Sequence, residues 1–414
     1  MPDVAAPRWA GRAARRVAVI GTAAAACGTA LAGIGTSAPT AATVPPIGHV
    51  FVIVLENESF AKTFGNPSPP ATQTYLDRTL PSMGVLLTQY YGTGHVSNDN
   101  YVAMVSGQAP NPQNQGDCPL FDDLVPLGMV APDQVEGTGC VFPASVPTIG
   151  NQLTAAGLSW KDYDEDMGNI PLRDGGTTCG HPIVDTPDIT QLALPGDGYA
   201  TRHNPFVYFH SVIDDSAYCG AHVVPLGSSS GSGSGLAADL ASASTTPNLS
   251  FIVPDLCDDG HDPAIPSGSL PSLPVLGTPS LPVVSGCTNE SSPGGPTAAS
   301  AFLSTWVPRI TSSPAFAADG MLVVLFDEAS TTDSTACCGE TPGPNSPKPG
   351  ITGPGGGRTG AVVVSPFTLP GTTSSTPYNH YSLLASLENI FGLGRLGMAQ
   401  TVTTTFGSDV YSAP

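Results

Sequence analysis

Basic side chains are scarce: 13 Lys and Arg stand against 33 Asp and Glu in 414 residues, a net charge of −20, with a pI near 4.4. So few cations leave no patch that neutralises a phosphate backbone, and nucleic-acid binding is excluded as an expected role. The chain also has no CxxC pair, the usual signature of a structural zinc site in a small module. Nor does an additional lipid-binding domain stand out in it.

The N-terminus carries what the rest lacks. Arg8, Arg12, Arg15 and Arg16 precede a mostly apolar stretch, residues 17–34, and then small residues through Ala42. This is the pattern of an export signal, residues 1–42, and the Arg15-Arg16 pair leaves a twin-arginine route open. Richness in Ala and Gly favours cleavage over a retained span, so no stable membrane segment is expected afterwards. Cleavage near Ala42 removes four of the thirteen basic residues and one acid, so the secreted chain, residues 43–414, is more acidic still. Cys27 leaves with the signal, and the eight remaining cysteines form an even number in an exported chain, which predicts disulfides. The adjacent Cys337 and Cys338 are expected to reach two different partners.

Four continuous apolar runs read as buried strands: HVFVIVL (49–55), LSFIVP (249–254), MLVVLF (321–326) and GAVVVSPF (360–367). Continuous rather than alternating apolarity predicts central parallel strands covered on both faces. Helical patterns lie between them at 148–156, 237–244, 298–310 and 379–393, the last with Tyr381, Leu384, Leu387 and Phe391 at helical spacing. A strand-like segment, 85–91, gives way to a helix starting near Asn98. The expectation is an α/β fold, a central mostly parallel sheet flanked by helices, in one domain. Gly/Ser-rich 227–235 and Pro-rich 263–296 read as loop insertions within 227–296, and 341–357 as a further loop.

Ligands gather at the carboxyl ends of strands in such sheets. The first run ends in Glu56-Asn57, another in Asp327-Glu328, and a third runs into CDDGHD, residues 257–262. Carboxylates delivered to one sheet edge repel each other unless protons or a cation compensate. Hard oxygen ligands with one or two imidazoles suit Ca, Mg, Mn, Fe or Zn. For Asp258, Asp259 and Asp262 singly, a solvated loop position is an equal expectation. Ser97 falls where a helix begins, a place that attracts anions but equally suits a plain N-cap.

Taken together, ENESF, HVSNDNY followed by VSG, RHNPFVYF, CDDGHD, FDE and NHYSLLASLENIFGLGRLG resemble the bacterial phosphoesterase family of secreted acid phosphatases and phospholipases C, in the alkaline-phosphatase-like superfamily. The matches run in order from about His49 to Met398. The resemblance implies a metal-dependent hydrolase whose Ser97 attacks phosphorus and forms a phosphoserine. It places metal ligands at Glu56, Asn57, Asp327 and Glu328, to which the strand-end argument adds Asp259. His261 and His380 match active-site histidines with a catalytic role, and His203, Asn100 and, more weakly, His95 fall to substrate binding. Where family members usually carry Pro before that Asn, Asp99 stands here. His181, His210 and His222 are expected to be structural.

The leading functional expectation is a secreted, metal-dependent acid phosphatase acting on phosphomonoesters. A phospholipase C acting on a lipid phosphodiester is the rival within the enzyme class. A non-catalytic, calcium-binding surface module is the rival outside it, and that reading makes Ser97 dispensable. Substrates are accordingly small-molecule or lipid phosphate esters.

Overall fold

The computed structural model describes residues 44–194, 196–262, 287, 294–340 and 342–412. The expected signal segment and most of the expected 263–296 insertion lie outside the described residues. Eight strands form the main sheet: β1 His49–Leu55, β2 Val85–Leu87, β3 Trp160–Asp164, β4 Val223–Pro225, β5 Leu249–Val253, β6 Gly320–Phe326, β7 Ala361–Val364 and β8 Thr372–Ser374. Their order is β8-β2-β7-β6-β1-β5-β3-β4. β1 is central and parallel to both neighbours, with Val52 opposite Phe251 on β5 and Val323 on β6.

The unbroken apolarity of β1 follows from burial on both faces. Val50, Val52 and Val54 enter one core together with Val102 and Val105 of α1 (Ser97–Ser106), Ile149 and Leu153 of α2 (Ile149–Ala155), and Leu384 and Leu387. Phe51, Ile53 and Leu55 enter the opposite core with Phe302, Leu303, Trp306, Val307 and Ile310 of α3 (Gly295–Thr311). Each fully buried side chain of this size contributes about 1.5–3 kcal/mol of transfer free energy. The mixed α/β architecture with a mostly parallel central sheet is therefore the one expected.

Three local expectations are corrected. β7, within the 360–367 run, is antiparallel to both β6 and β2. A continuous apolar run reports burial on two faces, which β7 shares, and carries no information about direction. The helix expected over 237–244 is only Leu236–Asp239, because the hydroxyls of Thr245 and Thr246 donate to the carbonyl of Asp239 (2.8 and 2.9 Å) and close turns instead. Cys337 and Cys338 bond to each other, since the other six cysteines pair as Cys118–Cys140, Cys179–Cys219 and Cys257–Cys287. Among the described residues no helix is long and apolar enough to cross a membrane.

The last helix, α4 (His380–Phe391), begins with Asn379 accepting from the Ser382 N–H (2.9 Å) and ends at Gly392 with φ +66°. On its inner face Glu388 is fully buried, accepting from the Leu396 N–H (2.8 Å) with Arg395 3.7 Å away. Burial pushes this carboxyl up to about 8. Between its ordinary value near 4.5 and about 8, the folded chain thus holds a proton that the unfolded chain has released, so stability falls as pH rises through that window. Thermal unfolding from pH 5 to pH 8 is expected to show a declining midpoint. Glu388→Gln should remove about 2–4 kcal/mol of that decline, at ~1.4 kcal/mol per pKa unit with allowance for screening. Parallel curves for the two proteins would remove Glu388 as a cause.

Candidate active site

Because β6, β1 and β5 are neighbours, the residues that follow them converge at one edge of the sheet. β1 delivers Glu56 and Asn57, β6 delivers Asp327 and Glu328, and the turn after β5 delivers Asp259 and His261. Backbone hydrogen bonds fix this convergence: Glu56 N–H donates to Asp259 O (2.9 Å), and Asp327 N–H donates to Leu55 O (2.8 Å).

Ser97 comes to the same place from α1. It is the first residue of the helix, the N-cap position belongs to Val96, and no side chain caps the end. Its hydroxyl instead donates to Glu56 Oε2 at 2.7 Å, an acceptor that also receives Asn57 Nδ2 at 2.7 Å. The Asn57 N–H donates to Asp327 Oδ1 at 3.0 Å, which ties the ends of β1 and β6 together. Ser97, Glu56, Asn57 and Asp327 are therefore one hydrogen-bonded group.

Glu56 also belongs to a second group. His203, on the single turn Thr201–His203, places Nε2 3.4 Å from Glu56 Oε1 and Nδ1 3.9 Å from Asp259 Oδ2. Its ring lies flat against that of Tyr101, with centroids 5.2 Å apart. Glu56, His203 and Asp259 are all buried and offer one ligand atom each within 4.8 Å of one another. Glu56 Oε1, Asp259 Oδ2, Asp327 Oδ2 and both His203 ring nitrogens have no hydrogen-bond partner among the described residues.

Such orphaned buried acceptors are costly unless a proton or a cation satisfies them. Burial, then the charge of Asp327, pushes Glu56 well above its ordinary value, and burial with Glu328 does the same to Asp327. Burial with Glu56 raises Asp259. Burial, reinforced by Arg202 and His261, pushes His203 well below its ordinary value, which favours the neutral imidazole. Unprotonated nitrogen and closely spaced oxygens are the donor set of a hard divalent cation, and these residues fit one.

The remaining expected residues take other positions. Glu328 pairs with His95 Nδ1, whose Nε2 meets Asp333 O at 3.1 Å. The Asn100 amide is spent on the turn before Ser97, accepting from the N–H groups of Thr93 (2.8 Å) and Gly94 (3.0 Å) and donating to Gly94 O and Val96 O. His95 and Asn100 thus brace the segment that presents Ser97. His380 is fully buried between Tyr90 Oη (3.1 Å) and Asp327 O, and burial brings it down to about 4. The cap of α4 is made by Asn379, not by His380.

His261 is half-exposed, with its backbone N–H donating to Asp259 Oδ1 (2.8 Å) and its ring Nδ1 3.7 Å from Asp262 Oδ1. Asp258 groups with Glu165 and Asp255 rather than with Glu56. Glu58 turns away to Lys62, 3.7 Å off. His181 stacks on Phe121, His210 pairs with Asp123 and Asp214, and His222 meets Tyr218 O.

Two residues of the site went unread in the sequence, Arg202 and Asp117. Arg202 precedes His203 and is buried, with Nε 3.7 Å from Asp117 Oδ2. Its sequence signal was present: a rare cation inside a histidine motif of a chain poor in base.

The model of the Phosphoesterase family matches residues 71–394. That span includes Ser97, His203, Asp259, His261, Asp327, Glu328 and His380 and begins after Glu56 and Asn57. The chain is 23% identical over 397 residues to a phosphatidylinositol-3-phosphatase of Mycobacterium tuberculosis, covering 94% of this chain and 92% of that protein. It is 26% identical over 345 residues to a phosphate-repressible acid phosphatase of Penicillium chrysogenum, covering 83% of this chain but only 59% of that longer relative. Among solved structures, a protein of the alkaline phosphatase superfamily from Vibrio parahaemolyticus is similar with a TM-score of 0.45 and 13% identity, covering 89% of this chain and 73% of that one. The chain belongs to the Phosphoesterase family and is a phosphoric ester hydrolase.

Proposed function

We propose that the chain is an exported, metal-dependent acid phosphatase that hydrolyses phosphomonoesters through a phosphoserine at Ser97. The observation that carries this reading is the 2.7 Å hydrogen bond from the Ser97 hydroxyl to Glu56, at the start of α1 and inside the buried carboxylate group. Glu56, Asn57, Asp327, Asp259 and His203 are the residues that would hold the cation. A bound divalent cation supplies positive charge that lowers the hydroxyl pKa and offsets charge on the phosphoryl oxygens.

The chain's own residues account for the rest. As Ser97 Oγ forms a bond to phosphorus and the bond to the leaving oxygen breaks, its proton passes to Glu56 Oε2, 2.7 Å away, and returns to Ser97 when inorganic phosphate leaves. The N-terminal end of α1, with its helix dipole, favours the anionic phosphoryl group. His261, at the open side of the group, gives a proton to the leaving alkoxide. In the second half it takes one from the water that releases inorganic phosphate from Ser97. His95, Glu328 and Asn100 keep the turn before Ser97 in register. The disulfides accord with export, and both curated relatives carry the name phosphatase.

The test is hydrolysis of p-nitrophenyl phosphate and bis(p-nitrophenyl) phosphate by the purified chain, from pH 4 to 8, with each of the five cations. The monoester is expected to be turned over at least ~10-fold faster, fastest on the acid side. Preference for the diester would point to a phospholipase C instead. No turnover of either ester with any cation would favour the calcium-binding module.

A further inference from the structure

The site is rich in carboxyl groups and must admit an anion. Glu56, Asp259, Asp327 and Glu328 are all buried within it. Among the described residues, two cations face this region. Lys62 is exposed and engaged with Glu58. Arg202 is 8% exposed, and its charge is felt at Glu56, Asp259, Asp117 and Asp262.

Arg202 is held to the first turn of α1 from two sides. Its carbonyl accepts from Asn98 Nδ2 at 3.0 Å, and the Asn98 N–H donates to Asp117 Oδ1 at 3.1 Å. Asp117 Oδ2 then lies 3.7 Å from Arg202 Nε, which closes a ring of contacts beside Ser97. Asp117 itself has φ +60° and directly precedes the Cys118–Cys140 disulfide, which anchors its loop.

The guanidinium is underused in this ring. Of its five N–H donors, one on Nη1 reaches Gln191 O at 3.0 Å, and the Asp117 contact is beyond hydrogen-bond length. No other acceptor meets it among the described residues. A buried, permanently charged group with open donors at the first turn of α1 has the chemistry to receive an anion. Its planar fork matches two phosphoryl oxygens.

We infer that Arg202 grips the terminal oxygens of the substrate phosphoryl group and makes the site select doubly charged monoesters over singly charged diesters. The inference rests on the phosphatase reading above and adds its source of selectivity. Asp117 holds the guanidinium in place without consuming its donors, so the charge is oriented before substrate arrives.

The test compares wild type, Arg202→Gln and Arg202→Lys. Arg202→Gln should lower kcat/KM for p-nitrophenyl phosphate by about 10- to 100-fold, the scale of a lost charged hydrogen bond, and lower the diester rate by a clearly smaller factor, because a diester presents one negative charge to the guanidinium instead of two. Calorimetric binding of inorganic phosphate should weaken at least ~10-fold in Arg202→Gln. Arg202→Lys, which keeps the charge but not the fork, should fall between the two. Equal losses for both esters, or unchanged phosphate binding, would reduce Arg202 to a structural role. If Arg202→Gln does not fold, Arg202→Lys decides by the same two readouts. Phosphate binding is measured apart from turnover: an inactive wild type overturns the phosphatase reading, while an active wild type with unaltered phosphate binding in the variants overturns only the role of Arg202.

Discussion

Ser97→Ala is expected to lower kcat on a phosphomonoester by about 10,000- to 1,000,000-fold, the range for deleting a covalent nucleophile, while the chain stays folded. The two halves of this expectation come from the same geometry. Ser97 is the first helical residue and caps nothing, so the helix loses no cap on its removal. Alanine is the best helix former at such a position. Glu56 Oε2 loses one donor and keeps Asn57 Nδ2 at 2.7 Å, so the stability cost is limited to about 1–2 kcal/mol. The bland alternative, a serine that merely starts a helix, predicts the reverse pattern of a modest stability loss with full activity. Acid-quenched turnover should leave phosphate on the peptide containing Ser97 in wild type and none in the variant. Glu58→Gln is the control, since Glu58 is turned to Lys62, and it should retain activity within about twofold. Activity in Ser97→Ala above a tenth of wild type, or phosphate trapped on another residue, removes Ser97 from the mechanism.

How far the sequence reaches into this site depends on the range of each interaction. Strand identity was legible because burial on both faces writes itself into six consecutive apolar residues, as in Val50 to Leu55. The ends of those strands were legible for the opposite reason: a carboxylate after such a run has no local cause. Direction was not legible, and the antiparallel β7 is as unbroken in apolar residues as β1 and β6, which are parallel to each other. Asn100 shows another limit. Its position in the motif drew it toward substrate, while its amide is consumed by the turn at 93–96, a contact that residue type alone cannot announce. Asp117 is hidden more deeply, since its role arises only when Asn98 and Arg202, 104 positions apart in the chain, are brought together.

Withdrawing divalent cations is expected to lower turnover at least ~1,000-fold and to lower the unfolding midpoint, with one of Ca, Mg, Mn, Fe or Zn restoring both. The argument is electrostatic. Two like charges 4 Å apart repel by about 4 kcal/mol per pair at a dielectric typical of protein surfaces, and by more in an interior. Glu56, Asp259 and Asp327 are buried together with open oxygens, so a cation that binds only the folded chain is stabilising. At one hundred times its dissociation constant it adds about 2.7 kcal/mol. Asp327→Asn separates this from a merely structural role of the carboxylate. The amide keeps an oxygen acceptor for the Asn57 N–H, now 3.0 Å from Asp327 Oδ1, but loses the charge. The variant should therefore lose turnover and lose the cation-dependent rise in midpoint. In cation-free buffer it should be as stable as wild type or more so, because a repelling buried carboxylate has gone. That change of sign with cation is the signature of a ligand. A hydrogen-bonding residue without a metal role would destabilise the chain equally in both buffers. Turnover that resists chelation, together with a midpoint indifferent to all five cations, would leave the carboxylates to be satisfied by protons alone.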